Sequence, residues 1–238
     1  MSVSPVSEMF DGISPHYDFL NHLLSFGIDR RWRRKTSQMV SGHHPSTILD
    51  VATGTADLAI RMALENPQAQ VIGVDFSEKM LEQGRVKIER KKLGGRICLM
   101  TGNALGMPFS DNAFDAVTVA FGVRNFDNRE AGLREMVRVC RKGGLVAVLE
   151  FSHPSSLWMA RPYRWYSRTI LPWLGHKVSK HPTAYTYLPS SVEAFPESKA
   201  FIGMLHDAGL CQVTARRFSG GIATLYFGIV AENPLETQ

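Results

Sequence analysis

The chain alternates between short apolar, β-branched runs and longer stretches whose apolar residues recur at helical spacing. Ile48-Leu49-Asp50-Val51, apolar but for Asp50, and Val71-Ile72-Gly73-Val74 are of the first kind, with apolar residues on both faces as a strand buried on both sides should have. In order, the pattern predicts strand 48–51, helix 56–65, strand 70–75, helix 77–92, strand 96–100, strand 114–120, helix 129–140 and strand 144–151. Such alternation implies a parallel sheet covered by helices on both faces. Upstream, Phe10, Ile13, Tyr17, Leu20, Leu23 and Leu24 recur at helical spacing. Downstream, 152–192 interrupts the alternation, and helix 196–208 and strands near 210–217 and 223–230 close the chain. Ser219-Gly220-Gly221 between the last two strands reads as a hairpin, so one C-terminal edge of the sheet should be antiparallel. The expectation is one α/β domain, a Rossmann-like doubly wound sheet. Its parts are an N-terminal helical cap at 1–45, a core at 46–152, a helical lid inserted at 153–195, and a closing helix and strand pair at 196–238.

Composition narrows the setting. An apolar content of 44% supports a sizeable core. No run reaches the roughly 18 apolar residues of a spanning helix, and MSVSPVSEMF lacks a basic start and an apolar stretch behind it. A cytoplasmic protein is expected. Cys98, Cys140 and Cys211 are odd in number and scattered, implying neither a disulfide framework nor a metal site. The net charge of +5 is concentrated: between Phe151 and Val192 there is no acid, whereas Arg161, Arg164, Arg168, Lys177 and Lys180 are all basic. A second cluster, Arg30, Arg31, Arg33, Arg34 and Lys35 around Trp32, reads as a solvated helix face.

The loop after the first strand carries the chemistry. Ala52, Gly54 and Ala56 allow a tight turn into a helix, and Asp75 with its neighbour Phe76 ends the next strand. In doubly wound sheets ligands sit beyond the carboxyl ends of the strands, and an acid about 20 residues past the loop holds ribose hydroxyls. A dinucleotide fingerprint is not met, because its three glycine places read Ala52, Gly54 and Asp57. A carboxylate at the third place would repel a diphosphate. S-adenosylmethionine has no phosphate and carries a sulfonium and an amino group, which suits a loop flanked by Asp50 and Asp57. Asn103-Ala104 after the third strand would lie near the adenine, and Arg124 enters the loop after the fourth, where ligands bind. That loop lacks the Asp/Asn-Pro-Pro-Tyr/Phe run of methylases that act on base amino groups, and no RNA-binding module is evident, so no nucleic-acid partner is expected.

Two further motifs carry a resemblance. Tyr17, Asp18, Asn21, Ser25 and Trp32 form one spaced set, and Arg138, Val139, Gly143, Gly144, Glu150 and Ser152 form another. On these the chain resembles the ubiquinone/menaquinone biosynthesis C-methyltransferases from about residue 8 to residue 230. It departs from them at Leu20, at Asp29, at Cys140-Arg141-Lys142, and at Ala52 and Ala56, where glycines are common. The resemblance implies the class I S-adenosylmethionine-dependent methyltransferase fold and methylation of a ring carbon of a prenylated quinol, demethylmenaquinol first and a ubiquinone precursor second. It puts cofactor contacts on Thr55, Asp75, Asn103, Ala104 and Ala120. Arg124 would then be a fixed cation near the quinol oxygen, with His16, Tyr17 and His153 as proton acceptors or orienters.

On a helix, Met159, Tyr163, Tyr166 and Ile170 share one face, roughly opposite Arg161, Arg164 and Arg168. This suits a lid in transient contact with an anionic membrane surface, hence peripheral placement on its inner face. A homo-oligomer stays open. The alternative from another class is a non-catalytic, cofactor-binding protein that docks on a membrane.

Overall fold

A computed structural model describes Ser25, residues 27–152 and residues 190–232. The elements are helix α1 (Asp29–Ser41), strand β1 (Thr47–Val51), α2 (Asp57–Glu65), β2 (Gln70–Asp75), α3 (Glu78–Arg90), β3 (Ile97–Thr101), β4 (Phe114–Ala120), α4 (Arg129–Val139), β5 (Cys140–Phe151), α5 (Ser198–Asp207), β6 (Leu210–Phe218) and β7 (Ala223–Val230). Of the lid expected at 153–195, residues 153–189 lie outside the described residues, as does the part of the expected cap upstream of Ser25.

The seven strands form one sheet in the order β3-β2-β1-β4-β5-β7-β6. β1 pairs in parallel with both β2 and β4, with Asp50 opposite Gly73 on one side and Thr118 on the other. The chain leaves β1 toward β2 and later leaves β4 toward β5, so the β1/β4 boundary is where the winding reverses and a crevice opens at the strand ends. The C-terminal hairpin forms the antiparallel edge; within it the reversed strand is β7, between β5 and the outermost β6.

Both faces of the sheet are covered, which explains the consecutive apolar positions. Along β5, Leu145, Ala147, Leu149 and Phe151 enter one core, with Trp32 and Ile48, while Val146 and Val148 enter the other, with Leu49, Val117 and Phe201. α1 buries Trp32, Arg33, Thr36, Ser37 and Val40, a stripe at helical spacing. Trp32 stands edge-on to Phe151 at 6.1 Å and donates its indole N–H to Ser219 Oγ at 3.0 Å, tying α1 to the β6–β7 turn. Two helices begin on caps that satisfy first-turn N–H groups: Ser77 Oγ accepts from Met80 N, and Asn128 Oδ1 accepts from Ala131 N.

β5 starts at Cys140 rather than at 144, because the double glycine lies in a bulge inside it. The register passes from Phe114 opposite Cys140 to Ala116 opposite Leu145. Gly143 has φ +70°, and a Cβ on Gly144 would stand 2.7 Å from Arg141 O and 2.9 Å from Asp115 O. Among the described residues no helix is long and apolar enough to cross a membrane.

Candidate cofactor and active site

The loop after β1 turns through three left-handed residues, Ala52 (φ +50°), Gly54 (+55°) and Ala56 (+65°). Left-handed backbone costs an L-residue about 1–2 kcal/mol, which accounts for glycine being the common choice here; Ala52 and Ala56 hold the conformation only because the loop is tied down. Thr53 N donates to Val74 O, Ala56 N to Thr53 O, and Gly54 N to Asp75 Oδ2 at 2.8 Å. Asp75 Oδ1 accepts from Ser77 N at 3.0 Å. Asp75 therefore sits at the end of β2, bracing the β1 loop. Beside it Phe76 is 40% exposed, an apolar ring on the surface at the mouth of the crevice.

Asp50 lies beneath the loop and is almost fully buried. It accepts from Thr53 Oγ1 at 2.7 Å and from Thr118 Oγ1 at 2.9 Å. Burial pushes its carboxyl up to about 6, while the two threonines and the positive charge of Arg33 pull the other way. The folded value stands above the unfolded one near 3.8, so ionised Asp50 penalises the fold. The penalty is absent below pH 4 and complete above pH 6. Asp50→Asn should therefore gain stability relative to wild type as pH rises across that window and level off above it. Urea midpoints for both proteins from pH 4 to 7 check this, and a constant difference contradicts it.

Arg33, Asp50, Thr53, Gly54, Asp57 and Ala120 line a narrow pocket under this loop. Asp57 corrects one expectation: its carboxylate pairs with Lys87 Nζ at 2.7 Å, and Thr55 Oγ1 accepts from the same ammonium at 2.8 Å. Its charge is offset, so repulsion of a diphosphate by Asp57 is weaker than the sequence suggests. The case against a dinucleotide rests instead on Ala52, which brings a Cβ to the first glycine place in left-handed backbone. Ala52 Cβ is so placed that a Cβ on Gly122, in the loop after β4, would come within 2.6 Å of it.

The turn after β3 is closed by Asn103, whose Oδ1 accepts from Leu105 N and whose carbonyl accepts from Gly106 N. Asn103 is exposed and Ala104 half-buried. Asn103 thus lies in the turn just beyond β3, and its amide oxygen shapes that turn.

Arg124 departs from expectation. The β4 loop enters with Phe121 at φ +61°, unusual for a bulky residue, followed by a short 3₁₀ turn over Val123–Asn125. Expected as a fixed cation near the quinol oxygen, the Arg124 side chain is buried and ion-paired, with Nη1 donating to Glu150 Oε1 at 2.9 Å and to Phe121 O at 2.6 Å. Both side chains are 0% exposed. Burial pushes the Glu150 carboxyl up, and Arg124 pulls it back. Two residues on, Ser152 Oγ donates to Gly221 O and shares a hydrogen bond with Thr224 Oγ1, fixing β5 to β7.

The pattern does not flag Glu150 or Arg33 for a role at the site. Glu150 is an acid inside the otherwise apolar, buried half of β5, and Arg33 follows Asp29 by one helical turn on the face that buries Trp32. Arg33 is not part of a solvated face as expected: it is 8% exposed and pairs with Asp29, while Arg30, Arg31 and Arg34 are exposed. His16, Tyr17 and His153 lie outside the described residues.

A seven-stranded sheet of this order, with acids ending β1 and β2 and an exposed aromatic beside the second, fits an adenosyl cofactor bearing positive charge. The carboxylates suit a sulfonium and ribose hydroxyls, and Phe76 offers a face for a base. Fold and site together define an S-adenosylmethionine-dependent methyltransferase. Solved structures agree on the fold: a methyltransferase of that dependence from Thermotoga maritima matches at TM-score 0.61 and 17% identity over 94% of this chain and 99% of that one. A [4+2]-cyclase, SpnF, matches at 0.65 and 18% identity, covering 93% of this chain and 77% of that one, so the architecture alone does not specify methyl transfer. The sequence profile of the ubiE/COQ5 methyltransferase family matches residues 2–230, and the chain belongs to that family. It is 43% identical over 221 residues to the demethylmenaquinone methyltransferase of Bacteroides fragilis, spanning 93% of this chain and 90% of the relative. It is also 43% identical over 224 residues to the ubiquinone/menaquinone biosynthesis C-methyltransferase UbiE of Geobacter sulfurreducens, over 94% and 87%.

Proposed function

We propose that the protein methylates a ring carbon of demethylmenaquinol, a prenylated quinol, using S-adenosylmethionine. The observation that carries this reading is the likeness, over nearly the whole chain, to a relative bearing the name demethylmenaquinone methyltransferase. Ring methylation in a ubiquinone pathway is the second reading, favoured by the double name of the Geobacter relative.

Asp75 would hold the ribose, Phe76 and Asn103-Ala104 the base, and Asp50, Gly54, Thr55 and Ala120 the methionyl side. Bound there, the cofactor supplies a methyl group on a sulfonium, for which an electron-rich ring carbon is the nucleophile. The quinol hydroxyl must ionise to enrich that carbon, and bringing a phenol from near 10 to neutral pH asks for about 4 kcal/mol of differential stabilisation. Arg124 faces this task as half of a neutral pair: Glu150 offsets its charge and fixes its guanidinium, so its contribution is an oriented donor and dipole. Proton removal falls to His16, Tyr17 or His153 in this reading. The basic, aromatic stretch after Phe151 would meet the membrane that carries so apolar a substrate, placing the enzyme peripherally on its surface.

Incubation with methyl-labelled S-adenosylmethionine and reduced demethylmenaquinone, followed by mass analysis of the lipid extract, is expected to show labelled menaquinone. Label only in a methoxybenzoquinol offered in parallel would move the assignment to the ubiquinone pathway. No labelled lipid from either would overturn the proposal.

A further inference from the structure

Among the described residues, Arg33 is the one cation lining the pocket beneath the β1 loop. It reaches that pocket from α1, whereas the other lining residues come from β1, the loop after it, the start of α2 and the end of β4. Two direct contacts and one indirect contact hold it. Its Nη1 pairs with the fully buried Asp29, Asp29 is fixed by Ser25 Oγ donating at 2.8 Å, and the guanidinium lies 5.0 Å from the centre of the Phe121 ring. A planar fork clamped in this way keeps further N–H donors in a fixed direction, the geometry that arginine offers a carboxylate. The pocket also holds Asp50 and Asp57; Lys87 offsets the charge of Asp57, so Arg33 and Asp50 are the groups of opposite sign it presents to whatever enters. The methionyl end of the cofactor carries one group of each sign, an α-carboxylate and an α-ammonium.

We infer that Arg33 binds the α-carboxylate of the cofactor's methionyl group, opposite an ammonium directed to Asp50, with Asp29 and Ser25 as the residues that position it. This rests on the cofactor assignment above and extends it to a residue of α1. It also gives a reason for burying an Asp–Arg pair under the site. A pair serving only to anchor α1 would have no need to open onto the pocket, and Trp32 already anchors the helix through Ser219.

Calorimetry with two ligands separates these roles: S-adenosylhomocysteine, and its decarboxylated analogue with a plain 3-aminopropylthio arm. Wild type should prefer the carboxylate-bearing ligand by about 10–150-fold, the range of a charge-assisted hydrogen bond. Arg33→Gln should lose most of that preference while binding the decarboxylated ligand as wild type does. Because Arg33→Gln leaves Asp29 buried without its counter-charge, the neutral pair Asp29→Asn/Arg33→Gln repeats the measurement in a background without that defect. Retention of the full preference in either folded variant, or its absence from wild type, overturns the inference. Failure of wild type to bind S-adenosylhomocysteine at all would instead strike the cofactor reading.

Discussion

Glu150→Ala is expected to destabilise the protein by about 3–5 kcal/mol, because it strands a guanidinium that is 0% exposed and cannot shed its proton. Arg124→Ala should be milder, since the residue left behind can neutralise itself. Burial already pushes the Glu150 carboxyl up, and losing Arg124 removes the main influence holding it down. The two variants should then differ in pH response. The Glu150→Ala deficit persists at every pH, because arginine stays charged. The Arg124→Ala deficit shrinks as pH falls through the raised value of Glu150 toward its unfolded value, where the carboxyl is neutral in both states. Urea unfolding between pH 5 and 8 reads both slopes, and parallel slopes would mean that the pair is not coupled as described. Activity adds a separate test. With Glu150 in place, Arg124→Ala and Arg124→Lys should each lower turnover about tenfold or more while leaving cofactor affinity nearly unchanged. Normal turnover in either variant would remove Arg124 from the reaction and leave it a strut under the β4 loop.

The strand and helix rhythm was readable because each element obeys one local rule. Strands covered on both faces carry consecutive apolar positions, as at 71–74 within 70–75, where pattern and structure agree on both ends. The start of β5 was hidden because a bulge has no periodicity: Gly143 and Gly144 read as a turn, and only the partner strand shows that pairing continues past them. The position of the reversed strand was hidden for a similar reason, as a hairpin signal says that two strands are antiparallel and not which of them meets β5.

At the site, residues acting through their own loop were legible and residues acting across the fold were not. Asp75 could be placed from its spacing to Gly54, and the structure joins the two directly. Arg124 and Glu150 lie 26 positions apart, and their pairing depends on β4 and β5 being neighbours, which periodicity implies only loosely. Arg33 was masked by its company, four other basic residues on one helix, of which it alone turns inward to pair with Asp29. The described members of the two family motifs have a common physical role. Ser25 fixes Asp29, Trp32 anchors α1 to the β6–β7 turn, Glu150 holds Arg124, Ser152 ties β5 to β7, and Arg138 straps the loop after β3 through Phe109 O and Asp111. They stabilise the walls of the crevice, and the residues inside it, Arg33 of α1 apart, come from the strand ends and the loop and helix start that follow β1.

Asp75→Ala should weaken S-adenosylhomocysteine binding about 10–150-fold, the equivalent of roughly 1.5–3 kcal/mol for charge-assisted bonds to two ribose hydroxyls. The structure adds a complication, since the same carboxylate accepts from Gly54 N and Ser77 N. Removing it also frees a loop that carries Ala52 and Ala56 in left-handed backbone, so part of any loss could come from the loop relaxing. Asp75→Asn separates the two contributions, because its amide oxygen can still accept one backbone N–H while the charge is gone. If the carboxylate acts on the ribose, Asp75→Asn should lose most of the affinity that Asp75→Ala loses, and both should bind an analogue lacking the two ribose hydroxyls about as well as wild type does. If the loss reflects the loop alone, Asp75→Asn should fall near wild type and Asp75→Ala should weaken both ligands equally. Calorimetry on the two folded variants distinguishes these outcomes, and wild-type affinity in Asp75→Ala would withdraw the ribose assignment altogether.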